Sequence, residues 1–204
     1  MRRPEFIARQ GRHPTGLLGL LLARIMAVET AKENVRALDL LELRPGHRVL
    51  EVGFGHGRTI ARAAARASPG FVAGVDPSER MLEMAARHNR RLIREGRVEL
   101  KLGDSSRLPY EDGCFDRVYS VHTLYFWENP AAHLREIHRV MKAGARLVLG
   151  FRPKDETASA EFPSTVYRFY TADEVRRLLD AAGYERVEIV EDRGIAFAVA
   201  RRPA

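Results

Sequence analysis

The segment Glu51-Val52-Gly53-Phe54-Gly55-His56-Gly57 sets three glycines at alternate positions between an apolar run and an alanine-rich one. Glycine lets the backbone turn sharply and approach a ligand with no Cβ in the way. With a strand before it and a helix after it, such a loop presents its amides and the helix N-terminus as a polar rim at the carboxyl end of a sheet. The dinucleotide fingerprint places its third glycine three residues after the second. Here the third glycine follows after two, and Glu51 stands two residues before the first. That spacing argues against NAD. Asp76 follows Gly57 by 19 residues, at the end of the apolar run Phe71–Asp76. A carboxylate there can accept hydrogen bonds from both hydroxyls of a ribose. Asp104, with Ser105 beside it, ends a third run and either caps the next segment or accepts from an adenine amine. One acid at a strand end is ordinary capping. Three features at the ends of three successive runs point to one ligand.

His122 follows a fourth run, Asp116–Val121, and is either a general base or a residue that shapes a pocket. Tyr125, Phe126 and Trp127 come next, and either line an acceptor pocket or pack beneath a helix. Tyr167, Phe169 and Tyr170 pose the same choice. Near the N-terminus Arg9, Gln10, Arg12 and His13 either bind an acceptor carboxylate or phosphate, or tether a lid.

These side chains need elements to carry them, and the apolar periodicity supplies a regular set. A helical pattern from about Thr15 to Leu41 ends at Arg44-Pro45-Gly46. Strands are predicted at Arg48–Gly53, Phe71–Asp76, Val98–Gly103, Asp116–Val121 and Ala145–Phe151. Between them the pattern predicts helices at Gly57–Ala67, at Ser78–Arg94 with Ser78 as N-cap, and at Pro130–Met141. Thr171–Ala182 reads as a last helix, with Asp173 and Glu174 at its positive end and Gly183 past its stop. Strand–helix alternation implies an α/β fold, a mostly parallel sheet with helices on both faces. Only Glu191–Gly194 separates the closing strands Glu185–Val190 and Ile195–Ala200, too few residues for a parallel crossover. They form a hairpin, which puts one antiparallel strand in the sheet. The irregular stretch Arg152–Val166 follows a strand, where an active-site cover is expected.

The length of 204 residues suits one domain with modest extensions, and the composition, 45% hydrophobic and 30% charged, is that of a globular chain. The net charge of +7 favours an anionic ligand weakly, because the basic residues are scattered with no block of like charges. The lone Cys114 makes no internal disulfide and fits a reduced cytoplasm; no Cys/His cluster has metal spacing. The apolar stretch Leu17–Val28 has the outline of a signal peptide but is too short to span a bilayer, is interrupted by Arg24 and precedes no small-residue cleavage site. It reads as an amphipathic helix packed on the domain, with a peripheral membrane contact as the alternative.

The segments VLEVGFGHG (Val49–Gly57), GVDPSERML (Gly74–Leu82), GDSSRLPYEDGCFDRVYSVHTLYFW (Gly103–Trp127) and AAGYERVEI (Ala181–Ile189) resemble the class I S-adenosylmethionine (SAM)-dependent methyltransferases of the type 11 group, which includes quinone-biosynthesis methyltransferases. The resemblance implies a doubly wound seven-stranded sheet of order 3-2-1-4-5-7-6 with strand 7 antiparallel. It also implies residues 1–42 as an N-terminal helical lid and 43–204 as the SAM-binding domain. In that family the loop Gly53, Phe54, Gly55, Gly57 lines the methionine and ribose portion of SAM, and Glu51 organises the loop or the methionine ammonium. Asp76 holds the ribose hydroxyls, Pro77 and Met81 lie beside the adenine, and Asp104 and Ser105 cover its edge. Val121 and His122 face the sulfonium side. Arg12, His13, Tyr125, Trp127 and Tyr170 are the acceptor-side candidates, and His122 the candidate catalytic base. The implied reaction transfers a methyl group to a small-molecule acceptor and leaves S-adenosylhomocysteine. The rivals are an RNA methyltransferase, for which no appended basic or aromatic-interleaved module is visible, and a SAM-binding module without transfer.

Overall fold

Seven strands form one sheet of order β3-β2-β1-β4-β5-β7-β6 in the computed structural model, which describes residues 30–155 and 162–204. The strands are β1 (Arg48–Val52), β2 (Phe71–Asp76), β3 (Val98–Leu102), β4 (Phe115–Val121), β5 (Met141–Phe151), β6 (Glu185–Asp192) and β7 (Ile195–Arg201). The pairs β1–β2, β1–β4, β2–β3 and β4–β5 are parallel, and β7 runs antiparallel to both β5 and β6. The described helices are α1 (Ala31–Leu40), α2 (Arg58–Ala67), α3 (Glu79–Arg94), α4 (Pro130–Val140) and α5 (Ala172–Ala181). The mostly parallel sheet with one antiparallel strand is what the order of apolar runs implies, and its strand order is the one the family resemblance implies.

Local chemistry sets the boundaries. Ser78 caps α3 by accepting from the Met81 amide, and Asn129 caps α4 in front of Pro130. Thr171 and Glu174 close a reciprocal capping box on α5. The β6–β7 hairpin turns on Arg193 and Gly194, both at positive φ (50° and 81°), the pairing a two-residue type I′ turn demands. Most boundaries fall within one or two residues of the sequence reading, and the largest difference is at β5. β5 starts at Met141 instead of Ala145, because Met141 pairs with Phe115 on β4 and Lys142 bonds Asp116 at 2.8 Å. Residues 1–29 of the expected lid, Leu17–Val28 among them, lie outside the described residues, as do residues 156–161 of the expected cover loop. Among the described residues no helix is long and apolar enough to cross a membrane.

Two apolar layers cover the sheet. Leu134, Ile137, Val175 and Leu179 bring α4 and α5 onto one face. Ala37 and Leu38 of α1, Ile60, Ala63 and Ala64 of α2 and Ala85 of α3 pack on the other. The described end of the N-terminal extension is therefore part of a helical layer. Gly57 is the closest approach within that layer. It has φ +74°, and a Cβ there would overlap the Ala85 methyl and stand 2.8 Å from the Ala85 Cα. Gly57→Ala is expected to cost about 2–4 kcal/mol, combining left-handed strain with overpacking. Urea unfolding measures it; an unchanged midpoint would show that the loop gives way freely.

Candidate active site

The strand order reverses between β1 and β4, so the connections leaving their carboxyl ends diverge and open a crevice, the usual place for a ligand in such sheets. The glycine turn leaves β1 there. Gly53 donates to Val75 O (2.8 Å), Gly57 to Phe54 O (2.9 Å), and the Gly55 amide to the carboxylate of Asp76 (2.8 Å). The second Asp76 oxygen accepts from the Ser78 amide at 2.9 Å, so both neighbouring loops orient this buried carboxylate. Gly55 has φ +51°, and a Cβ on it would meet nothing within 4 Å, whereas one on Gly53 would overlap the Thr123 methyl. The rim of the turn thus opens on space at Gly55.

Glu51 lies buried behind the turn and accepts from the Tyr119 hydroxyl at 2.6 Å. Burial pushes its carboxyl up to about 8; the Tyr119 bond offsets part of that rise, and the Asp76 charge adds to it. Phe54 and Met81 turn their side chains into the core, Phe54 against Gly74 of β2. Pro77 is exposed beside Asp76. Asp104 accepts from the Ser106 amide at 2.7 Å in a local turn, and it stands 3.8 Å from His133 Nδ1. The Ser105 hydroxyl is bonded to His133 Nδ1 at 2.7 Å.

At the end of β4, half-buried Val121 leads into His122, which adopts φ +60° and donates its amide to Gly150 O at 2.9 Å. A left-handed histidine is uncommon and costs conformational energy, the kind of outlier that gathers at functional sites. Its ring meets Tyr125, hydroxyl to Nδ1 at 3.0 Å. Tyr125 in turn packs with Phe126, Tyr167 and Phe169, ring centroids 5.1–6.0 Å apart. Phe162 joins this cluster against Tyr167 and Phe169. Of the acceptor-side candidates, the structure brings Tyr125 to His122. It places Trp127 elsewhere, stacked on His133 at 4.9 Å and 4° within the core, and Tyr170 in the core under Arg168. Arg12 and His13 lie outside the described residues.

Sequence reasoning passed over three residues here. Leu102 is the one large apolar side chain left exposed among the described residues, and it stands in register with Asp76. Its place at the last position of β3 was the available signal. Thr123 bonds Ser120 and faces Gly53. Glu33 of α1 bonds His122, with no local signal across a separation of 89 positions. Among the described residues no group of three or more His, Cys, Asp or Glu side chains could hold a metal ion.

A seven-stranded sheet with β7 antiparallel, a glycine turn after β1 and an acid ending β2 together make up the fold of the SAM-dependent methyltransferases. The chain belongs to the class I methyltransferases of type 11: the methyltransferase-domain family profile matches residues 50–149. An uncharacterized methyltransferase, YdaC, of Bacillus subtilis is 28% identical over 91% of this chain and 99% of its own length. An uncharacterized 37.1 kDa protein in transposon TN4556 of Streptomyces fradiae is 34% identical over 78% of this chain, which spans only 46% of that relative. A SAM-dependent methyltransferase from Aquifex aeolicus superimposes with a TM-score of 0.71 at 26% identity, over 83% of this chain and 89% of that one. The family's cofactor is SAM, and the residues present fit it. Two carboxylates flank the turn, suited to a cation with a diol and an ammonium, and the open rim at Gly55 leaves room for it.

Proposed function

We propose that this chain moves the methyl group of SAM to a small-molecule acceptor seated against the aromatic cluster around Tyr125. The observation that carries the reading is the meeting, at the β1/β4 reversal, of the Asp76-bonded glycine turn with His122 and the aromatic cluster that Tyr125 joins to it. In this reading Gly53, Gly55 and Gly57 line the methionine and ribose, Asp76 accepts from the ribose hydroxyls, and Glu51 faces the ammonium side. Pro77 and the exposed Leu102 sandwich the adenine, Met81 backs it from the core, and Asp104 and Ser105 border its edge. Val121 and His122 flank the sulfonium.

Relatives support a small acceptor. They include an O-methyltransferase of Pyrenophora dematioidea, 24-methylenesterol C-methyltransferase 2 of rice and phosphoethanolamine N-methyltransferase 3 of Arabidopsis thaliana, of whose lengths this chain spans 64%, 32% and 34%. An RNA acceptor finds less support: the arginine row Arg117–Arg146–Arg201 across β4, β5 and β7 lies at the other end of the strands from the glycine turn. Calorimetric titration with SAM and with NAD tests the site. SAM is expected to bind and NAD to be rejected, and Gly53→Val to abolish SAM binding by forcing a branched side chain onto Thr123. Tighter binding of NAD, or unchanged SAM affinity in that variant, would remove the assignment. Mass spectrometry of phenols, alcohols, amines and lipids incubated with the protein and SAM then reads the acceptor.

A further inference from the structure

Three elements converge on the pair His122 and Tyr125: α1, a short 3-10 turn and the end of β5. The carboxylate of Glu33, from α1, sits on Nε2. The Tyr125 hydroxyl, from the short 3-10 turn Leu124–Phe126, lies 3.0 Å from Nδ1, with the two rings stacked at 6.0 Å and 23°. The amide of Arg152, just past β5, donates to the Tyr125 oxygen. Gly150, near the end of β5, holds the His122 amide and with it the left-handed turn that presents the ring.

The donors and acceptors order every proton in this chain. An ionised carboxylate only accepts, so Nε2 carries the hydrogen that meets Glu33. A neutral imidazole then has a bare Nδ1, which can only accept, so the Tyr125 hydroxyl donates to it. The phenol oxygen receives the Arg152 amide and, with two lone pairs, has room for one more donor. Tyr125 is too deeply buried to ionise by itself, since burial pushes its hydroxyl well above the ordinary range. It can hand on a proton and take one up in the same step.

We infer that Glu33 is a positioning residue that fixes His122 with Nδ1 bare, and that the acceptor of this site carries a hydroxyl whose proton leaves through Tyr125 to His122. This rests on the small-acceptor methyl-transfer reading above. The acceptor hydroxyl donates to the free lone pair of Tyr125. As the acceptor oxygen forms its bond to the methyl carbon, the carbon–sulfur bond breaks and its electron pair stays on sulfur as a neutral thioether. The acceptor's proton passes to the Tyr125 oxygen while the phenol's own proton moves to Nδ1. The resulting imidazolium is held against Glu33 until it loses that proton to water. An amine needs none of this, because its lone pair is already available and its surplus proton can go to solvent after transfer. A carboxylate, an imidazole and a phenol aligned beside the methyl-transfer position are of use to an acceptor that must be deprotonated as it reacts.

The test uses the full chain with 15N-labelled histidine and the variants Glu33→Ala, Glu33→Gln and Tyr125→Phe. In the parent, the nitrogen spectrum of His122 is expected to show Nε2 protonated and Nδ1 bare. Glu33→Ala is expected to give a mixture of tautomers, and Glu33→Gln, whose amide carbonyl can still accept from Nε2–H, to restore most of the parent pattern. Glu33 is partly exposed on a helix where alanine is well tolerated, so the melting temperature and SAM affinity should hold. With any phenol or alcohol that the parent methylates, Glu33→Ala should lower kcat about 100-fold with KM within about threefold. Tyr125→Phe should do the same. An unchanged His122 tautomer in Glu33→Ala overturns the positioning role. Methylation confined to amines, or a Glu33→Ala kcat equal to the parent on a hydroxyl acceptor, overturns the proton path while leaving methyl transfer intact. Failure to bind SAM or to methylate any small molecule overturns the functional reading itself, a separate outcome.

Discussion

Asp76→Ala is expected to weaken SAM binding by about 2–3 kcal/mol, roughly 30- to 150-fold, through loss of charged hydrogen bonds to the ribose. The structure adds a second consequence. The carboxylate accepts the Gly55 amide at 2.8 Å and the Ser78 amide at 2.9 Å, and it is only 6% exposed. Alanine leaves two amides without these acceptors, one of them in the glycine turn, so stability should fall by about 1–3 kcal/mol as well. Asp76→Asn separates the two effects. Its single carbonyl oxygen can keep one of the amides but offers no charge to the ribose, so it should recover part of the stability and little of the affinity. Calorimetry and thermal unfolding on both variants measure this. Parent-like SAM affinity in Asp76→Ala would exclude the ribose role, whatever the melting temperature does.

Much of the fold is written in local chemistry, and those parts were legible. Ser78 announces α3, the short gap Glu191–Gly194 announces a hairpin, and a hairpin after five parallel strands fixes β7 as antiparallel. The glycine turn and the acids at strand ends were legible for the same reason: each function needs a residue type at a fixed place along one element. What escaped depends on contacts across the chain. Met141–Gly144 reads as a helix end and a turn, and becomes strand because β4 lies beside it. Trp127 sits among aromatics that suggested a pocket, yet its ring stacks on His133 of α4, six positions along. Tyr125, two residues earlier, turns to His122 instead. Glu33 looks like one more charge on the polar side of an amphipathic helix until α1 is laid across the end of β4.

Glu51→Gln is expected to remove a pH dependence that the parent carries in both stability and SAM binding. Burial raises the Glu51 carboxyl from an ordinary 4.5 to about 8. Below about 4.5 the group is protonated whether the chain is folded or not, and its contribution is flat. Between about 4.5 and 8 the unfolded chain releases the proton while the folded chain keeps it, so stability falls as pH rises and levels off only above 8. The full difference is on the order of 5 kcal/mol. Burial lowers His56, His133 and His138, whose effect has the opposite sign and is complete by their unfolded value of 6.5. The window from 6.5 to 8 is therefore the one in which Glu51 dominates. The glutamine has no proton to lose, and its carbonyl can still accept from Tyr119, so the variant should match the parent near pH 5 and exceed it by a few kcal/mol near pH 8. Binding runs the other way. A methionine ammonium beside Glu51 favours the ionised carboxylate, so the parent should bind SAM more tightly as pH rises toward 8, with a proton released at neutral pH. Glu51→Gln should bind weakly at every pH and release none. Denaturant unfolding from pH 5 to 9, with calorimetry in two buffers of different ionisation heat, reads both quantities. A parent whose stability stays level from 6.5 to 8, or a variant that keeps the slope in SAM affinity, would place the titrating group elsewhere.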